Sequence, residues 1–445
     1  GEINHIVFGA HQLVTRYHSR EDVIQSYARQ DSLIGSVRQK FLVPFALKLN
    51  KKFGQAEVLG QMKEMGFNTD KSVFYDHHGS HAASAYFGLR KNVNEPYLVL
   101  TCDGSGDDVC ASVRVMGPDG DRILATTQWN NSLGALYSWT TYRMGFVPLE
   151  HEYKLMGMAP YSGSSFSLEI KKIFDSYLDL DASGLTFRRK TIKRISDVSR
   201  ELFNQLNGKR FDAICGGLQL FTEDLLVRWT TNAVEKTGIR KVLLAGGVFM
   251  NVKANKLMSE IPSVEYLEAF PSCGDETLIF GAYYQYVADQ FGRDQVAPLK
   301  HFFTGDDLDE SEIEMAISKY GYSFRRMNDP ASEVAGLLKA GHPVARCKGK
   351  MEFGARALGN RSIIADASNQ DVVRVINQMV KKRDFWMPFA PMMRKDGSER
   401  YIHNHKNLDS PYMMMTFDTK ENFKELIAAV HNADLTCRAQ LLTRQ

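Results

Sequence analysis

Three apolar segments, each followed by a turn rich in glycine and acidic or polar residues, constrain the fold of this chain more than any other feature. They begin the stretches "YLVLTCDGSGDD", "KVLLAGGVFMN" and "VEYLEAFPSCGDE", and helix-like segments lie between or after them. Strands that alternate with helices build layered α/β folds. Because ligands bind where the strands of such folds end, we predict an α/β protein with its functional site at these turns.

The length of the chain predicts more than one domain. It has 445 residues, whereas a single hydrophobic core stops growing near ~250 to 300 residues. The alternation of strands and helices also restarts after the acidic stretch "TGDDLDESE". We therefore expect a first domain over residues 1–298 and a second α/β domain over residues 299–445.

Charge and cysteine content exclude several classes of protein. The net charge is only +3, and the one basic run, "RRKTIKR", lacks the interleaved aromatic residues of a nucleic-acid site. Six widely spaced cysteines show no zinc-binding pattern and are typical of reduced thiols. No apolar run approaches the ~20 residues that span a bilayer. We expect a cytoplasmic protein with no nucleic-acid or membrane partner.

Two histidines one helical turn apart are candidate metal ligands. His77 and His81 lie in "DHHGSHAASAYF", a helix pattern that places both imidazoles on one face. Asp103 and Asp275 follow two of the predicted strands and offer carboxylate oxygens. Two histidines with carboxylates suit iron(II) or another first-row divalent metal. The alternative is that the histidines are surface or packing residues.

Pairs of glycines in two of the turns are candidate nucleotide contacts. Gly104 and Gly106 would let backbone N–H groups approach a phosphate, although "DGSGDD" also suits a plain hairpin turn. Gly246 and Gly247 either turn the chain or let an adenine ring lie against backbone, and we favour the second interpretation. The helix that begins there favours anionic or polar ligand groups at its N-terminus.

The second domain carries cations among glycine and aromatic residues. Arg356 and Arg361 lie in "GKMEFGARALGNRSI", and Lys381 and Arg383 lie in "VKKRDFWMPFAP". Arginines bind phosphate or carboxylate bidentately, and lysine adds a point charge. These residues are either surface cations or the lining of an anion-binding cleft, and their neighbours favour the cleft. A Walker loop is absent from the sequence, so a nucleotide here would bind by other means.

Seven motifs in order resemble the O-carbamoyltransferase family of antibiotic-tailoring and nodulation-factor enzymes. They are "HHGSHAASAYF", "DGSGDD", "EYKLMGMAPY", "LLAGGVFMN", "PSCGDE", "MEFGARALGNRSIIAD" and "KKRDFWMPFAP", and the resemblance runs from about residue 70 to the end of the chain. It implies a truncated actin/Hsp70/sugar-kinase-like first domain, related to threonylcarbamoyl transferases. The second domain would be an open α/β, YrdC-like domain that forms carbamoyladenylate.

The resemblance implies a two-step reaction. Carbamoyl phosphate and ATP, with Mg²⁺, would form carbamoyladenylate and pyrophosphate in the second domain. The carbamoyl group would then pass, at an iron-containing site in the first domain, to a hydroxyl of a small natural product or sugar, and AMP would leave. A homodimer is the candidate assembly. The identity of the hydroxyl acceptor does not follow from fold or family.

The resemblance also assigns roles to residues. It matches His77, His81, Asp103 and Asp275 to metal ligands and leaves His78 as the candidate general base. It matches Lys154, Gly246, Gly247 and Asn251 to nucleotide contacts, and these complete the nucleotide set with Gly104 and Gly106. The set for carbamoyl phosphate and ATP comprises Arg356, Arg361, Lys381, Arg383 and Arg438.

The chain also departs from the family pattern at its ends. The family opens on a hairpin that carries a His-Asp pair and closes on a further segment, and we expect both to be missing here, which leaves a fragment. Two alternative functions remain. The glycine-rich strand turns of the first domain also suit a sugar-kinase-like phosphotransferase, which would release ADP rather than AMP, and the missing ends keep open a non-catalytic adenylate-binding protein.

Overall fold

A computed structural model of the protein describes residues 5–12, 19–31, 43–191, 195–378 and 383–443. The chain divides into two compact units, Gly1–Pro298 and Leu299–Gln445. Lys381 lies outside the described residues. Among the described helices, none is long and apolar enough to cross a membrane.

The first unit contains ten described helices and nine described strands. The helices are α1 (Arg20–Asp31), α2 (Val43–Glu64), α3 (His77–Leu89), α4 (Leu133–Arg143), α5 (Glu152–Met158), α6 (Ser164–Asp175), α7 (Ile195–Leu206), α8 (Phe211–Thr237), α9 (Val252–Glu260) and α10 (Leu278–Phe291). The strands are β1 (Ile6–Phe8), β2 (Ser72–Phe74), β3 (Tyr97–Gly106), β4 (Val109–Gly117), β5 (Gly120–Gln128), β6 (Leu178–Leu180), β7 (Phe187–Arg189), β8 (Lys241–Ala245) and β9 (Tyr266–Ala269).

A five-stranded sheet organises the first unit, in the order β5-β4-β3-β8-β9. Strands β3, β4 and β5 form an antiparallel meander, while β8 pairs in parallel with β3 and β9 in parallel with β8. The carboxyl ends of β3, β8 and β9 therefore meet at one edge, as the three strand–turn segments predicted. The α/β class predicted from the sequence is confirmed for this unit.

Helix α3 is buried along its whole length because small residues let other elements approach it. Its neighbour α10 comes close at Gly281, where an added Cβ would overlap the backbone carbonyl of Ser80. At the far end, Gly88 faces the ring of Phe270, which follows β9. These contacts fix α3 between α10 and the sheet, so its side chains hold defined positions at the sheet edge.

The second unit is built from short elements. They are α11 (Glu310–Tyr320), α12 (Pro330–Lys339), α13 (Asp371–Ile376), β10 (Val344–Cys347), β11 (Arg361–Ile364), β12 (Met392–Arg394), β13 (Phe417–Asp418), β14 (Thr436–Cys437) and β15 (Gln440–Leu442). The strands pair two by two: β10 with β11 and β13 with β14 antiparallel, and β12 with β15 parallel. A larger open sheet is not found among the described residues of this unit.

Candidate functional site

Four side chains from three elements converge at the carboxyl edge of the sheet. His77 and His81 come from α3, Asp103 from β3, and Asp275 from the short helix Asp275–Thr277 that follows β9. Each offers one ligand atom, and these atoms all lie within 4.8 Å of one another. Sequence spacing and strand ends indicated this set, and the structure brings all four residues together.

The distances between these atoms describe a compact cluster. His81 Nε2 lies 3.0 Å from Asp103 Oδ2 and 3.5 Å from Asp275 Oδ1. His77 Nε2 lies 3.5 Å from Asp275 Oδ1 and 3.8 Å from Asp103 Oδ2. The imidazoles are buried, whereas the side chain of Asp275 is 69% exposed. The cluster is therefore open to solvent on the side of Asp275.

The residues fit a divalent metal ion. His77 Nε2 is buried and has no hydrogen-bond partner among the described residues, an arrangement that costs free energy unless a ligand satisfies the nitrogen. Thr277 Oγ1 donates to the carbonyl of Gly274 and so accepts from His81 Nδ1, at 3.3 Å. This contact turns His81 Nε2 toward the carboxylates, as outer hydrogen bonds do for metal-binding histidines. Two imidazoles and two carboxylates suit iron(II) and its first-row neighbours.

Electrostatics keep the cluster charged when no metal is bound. Burial by itself lowers the pKa of His81, but hydrogen bonds to Asp103 and Asp275 outweigh it and raise the pKa to about 9. Burial likewise opposes ionisation of Asp103, but the nearby imidazoles of His77 and His81, the second of them hydrogen-bonded to the carboxylate, hold the pKa of this carboxyl well below its usual range. Asp103 therefore presents a carboxylate rather than an acid at neutral pH.

Gly106 is a glycine because the ring of His77 fills the space beside it. A Cβ at this position would lie 2.1 Å from His77 Cγ. At Gly104, by contrast, no atom of the described residues outside its immediate chain neighbours lies within 4 Å of the position a Cβ would take. The two glycines of "DGSGDD" thus differ: one makes room for a candidate metal ligand, and the other borders open space.

Asp107 joins three backbone segments next to the cluster, a role that the sequence analysis missed. Its carboxylate accepts hydrogen bonds from the backbone N–H groups of His11 (2.9 Å to Oδ2), Gln12 (2.6 Å to Oδ1) and His77 (2.9 Å to Oδ2). It therefore ties the segment after β1 to the start of α3. Only the acidic composition of the turn hinted at this, because the partners lie up to 96 residues away in the sequence.

The prediction that His78 acts as general base is not supported by its surroundings. His78 is 1% exposed, and both ring nitrogens have partners: Nδ1 lies 2.8 Å from Thr101 Oγ1 and Nε2 lies 3.1 Å from the carbonyl of Val109. Burial and the neighbouring His77 and His81 hold the pKa of His78 well below its usual value. Neither nitrogen is available to take a proton from a substrate.

The glycine turn after β8 reaches the same sheet edge. Gly246 has a φ of +106°, which favours glycine, and a Cβ there would overlap the carbonyl of Cys102. A Cβ on Gly247 would lie 3.1 Å from Asp103 Oδ1, so this backbone adjoins the candidate metal cluster. Asn251 immediately precedes α9 and caps it, because its Oδ1 accepts a hydrogen bond from the backbone N–H of Ala254.

Two further members of the predicted nucleotide set have side-chain partners within the protein. Asn251 Nδ2 donates to Gln219 Oε1 and Asn251 Oδ1 accepts from Gln219 Nε2, both at 2.9 Å, so the two amides pair face to face. The ammonium of Lys154, on α5, lies 5.4 Å from the centre of the Phe146 ring. Neither contact belongs to the metal cluster.

Three of the predicted cations of the second unit form a cluster. Burial and the neighbouring positive charges of Arg356 and Arg383 hold the pKa of Arg438 well below its usual value. Arg438 Nε is buried, and the part of the chain that the structure describes offers it no hydrogen-bond partner. Neighbouring guanidinium groups offer the positive charge and the N–H donors that phosphate binds. The arginine cluster, as we call Arg356, Arg383 and Arg438, is therefore a candidate anion site.

Arg361 has a different environment from the arginine cluster. Its Nη1 donates to the backbone carbonyls of Gly349 (2.8 Å) and Asn360 (3.1 Å). Glu352 Oε1 accepts hydrogen bonds from three backbone N–H groups of this loop: those of Leu358 (2.9 Å), Asn360 (2.7 Å) and Arg361 (2.9 Å). In this structure, Arg361 stabilises the loop that carries Arg356.

The fold and the site together define an α/β protein with a candidate metal centre in one unit and a candidate anion site in the other. Two family models match the chain, one in each unit. The model described as carbamoyltransferase N-terminus matches residues 1–283, and the model described as carbamoyltransferase C-terminus matches residues 335–445. The chain belongs to the carbamoyltransferase family, a family of transferase enzymes.

Individual relatives are similar in sequence to this chain over most of its length. The uncharacterized protein sll1178 of Synechocystis is 29% identical, over 95% of this chain and 71% of its own length. The nodulation protein NolNO of Sinorhizobium fredii is 30% identical, over 95% of this chain and 62% of its own length. The chain thus spans about two thirds of these relatives.

Similarity to solved structures is weaker. A crystal structure of HypF from T. kodakarensis aligns with a TM-score of 0.31 and 13% identity, over 54% of this chain and 39% of that protein. A likeness at this level carries no argument about fold or function.

Proposed function

We propose that the protein is an ATP-dependent O-carbamoyltransferase. It would form carbamoyladenylate from carbamoyl phosphate, ATP and water, with pyrophosphate and inorganic phosphate leaving, and transfer the carbamoyl group to a hydroxyl of a small natural product or sugar with release of AMP. The observation that carries this proposal is the convergence of His77, His81, Asp103 and Asp275 at the sheet edge, within 4.8 Å of one another. Membership of the carbamoyltransferase family supports the identity of the transferred group.

The proposal assigns carbamoyl transfer to the first unit, as an actin/sugar-kinase-like domain. A divalent metal held by the four ligands would act as a Lewis acid toward the oxygen that gains charge in acyl transfer. The backbone at Gly247, beside Asp103, would let an adenylate approach without steric conflict. Because Asp275 is largely exposed, the acceptor hydroxyl would enter from that side.

The second unit, as a YrdC-like domain, would carry out adenylation. Carbamoyl phosphate and ATP with Mg²⁺ are both polyanions, and the arginine cluster offers guanidinium groups whose mutual repulsion an anion would relieve. Arg438 Nε, which is buried and unpartnered within the described ranges, is the donor with most to gain from a phosphate oxygen. In this assignment Arg361 orders the loop rather than touching the anion.

The proposal is tested by following the products. The protein incubated with carbamoyl phosphate, ATP, Mg²⁺ and iron(II) is expected to release pyrophosphate above a no-protein control, and AMP in the presence of an acceptor. The variant Arg383→Met should lose pyrophosphate release, whereas His81→Gln should retain it and lose only transfer. Release of ADP would indicate a phosphotransferase instead. If no pyrophosphate forms with either the wild type or His81→Gln, the proposal is wrong.

A further inference from the structure

A row of buried polar side chains runs from strand β4 to the first turn of α3. Its members are Arg114, Ser112, Thr101 and His78, which are 5%, 1%, 0% and 1% exposed. Arg114 Nε lies 3.1 Å from Ser112 Oγ, Ser112 Oγ lies 2.6 Å from Thr101 Oγ1, and Thr101 Oγ1 lies 2.8 Å from His78 Nδ1. We call these four residues the buried polar row. None of them belongs to the proposed ligand sets.

The two ends of the buried polar row fix the direction of every hydrogen bond in it. A guanidinium only donates, and the carbonyl of Val109 only accepts, so His78 Nε2 carries the proton and donates to Val109. His78 Nδ1 must then accept from Thr101, which accepts from Ser112, which accepts from Arg114 Nε. Arginine does not release its proton in proteins. The row therefore cannot relay protons. Instead, its hydrogen bonds hold the first turn of α3 in place against strands β3 and β4.

Arg114 reaches the same helix by a second route. Its Nη2 lies 3.2 Å from Asp76 Oδ1, and the same oxygen accepts from the N–H of Gly79 at 2.6 Å, which caps α3. Its Nη1 lies 2.8 Å from Asp121 Oδ2, on β5. One guanidinium thus fixes the first turn of α3 both through its cap and through the buried polar row, while its third contact leads away from the helix.

We propose that Arg114 is a positioning residue for the candidate metal centre: it holds the first turn of α3 so that His77 and His81 face Asp103. The inference rests on the proposed metal site. A buried guanidinium is costly to desolvate, and apolar replacements of buried ion pairs are often neutral or stabilising, so fold stability alone does not account for it. Metal ligands, in contrast, must be held within about 0.2 Å of their bond lengths.

The test compares variants by Co²⁺ binding, the visible spectrum of bound Co²⁺ and thermal unfolding. Arg114→Met removes both routes to α3, and Thr101→Val interrupts only the buried polar row. Asp121→Asn is the matched control, because it alters the one contact of Arg114 that leads away from α3. Arg114→Met and Thr101→Val are each expected to weaken Co²⁺ binding at least ~10-fold and change the spectrum, as loss of outer-shell partners does. Asp121→Asn should bind as the wild type does.

Equal Co²⁺ affinity and spectra for wild type and Arg114→Met would overturn the inference. If Arg114→Met does not fold, Thr101→Val decides by the same criterion. If the wild type itself binds no Co²⁺, the proposed metal site fails, and amide hydrogen exchange of Gly79 and Ser80 then decides only whether Arg114 holds the first turn of α3. Faster exchange there in Arg114→Met than in Asp121→Asn would support it, and equal exchange would refute it.

Discussion

Replacing Gly106 by alanine tests the geometry of the candidate metal centre. The new Cβ would lie 2.1 Å from His77 Cγ, whereas carbon atoms in contact lie ~3.5 to 4.0 Å apart. Either the imidazole or strand β3 must therefore move by about 1.4 Å. That movement exceeds by several-fold the ~0.2 Å over which metal–ligand distances vary. His77 should consequently be lost as a ligand.

The expected effect on metal affinity is large. Removal of an outer-shell partner costs ~10 to 100-fold in affinity, and the loss of a ligand should cost at least ~100-fold. The assay is competition for Co²⁺ between the protein and a chromogenic chelator, at constant pH. Gly104→Ala is the matched control, since no atom of the described residues outside its immediate chain neighbours lies within 4 Å of its Cβ position and neither glycine has a left-handed φ. Equal affinity in the two variants would refute the reasoning.

Two further predictions concern stability. Burial alone raises the pKa of Asp179, but Lys190 and Arg228 outweigh it and lower the pKa to about 2. The variant Asp179→Asn should therefore lose about 1 kcal/mol of unfolding free energy at pH 7, after allowing for solvent screening of the ion pairs. The difference should shrink as pH falls from about 4 to about 2, measured by urea unfolding, and a pH-independent difference would contradict it. Arg438→Met should stabilise the anion-free protein, by about 1 kcal/mol, while reducing the thermal stabilisation given by inorganic phosphate. The control variant Arg400→Met, at an exposed residue, should change neither the stability of the anion-free protein nor its stabilisation by phosphate by a comparable amount. The reasoning fails if Arg438→Met destabilises the protein in the absence of phosphate.

Local patterns were sufficient to predict the candidate metal cluster. The spacing of His77 and His81 is a property of one helix, and the carboxyl ends of neighbouring strands meet at one sheet edge whatever the details of packing. Both rules depend only on backbone periodicity. For this reason the sequence indicated which four side chains would meet before any contact between elements was known.

Backbone periodicity could not predict contacts between side chains that lie far apart in the sequence. The pairing of Asp107 with His11, or of Arg114 with Asp76, depends on packing between separate elements. The same limit explains why the surroundings of His78 were not foreseen, because its burial and its contact with Thr101 follow from the sheet beneath α3. It also explains why spacing did not separate Arg361 from the arginine cluster.

Metal content is the most direct test of the account. The protein is loaded with iron(II) under anaerobic conditions, desalted, and assayed for metal per chain by mass spectrometry, alongside His81→Gln and the exposed-histidine control His342→Gln. The account predicts about one iron per chain in the wild type and in His342→Gln, with iron–nitrogen and iron–oxygen distances of ~2.0 to 2.2 Å by X-ray absorption. His81→Gln should retain little. A wild type that retains no metal, or a His81→Gln variant that retains as much as the wild type, would contradict the central claim.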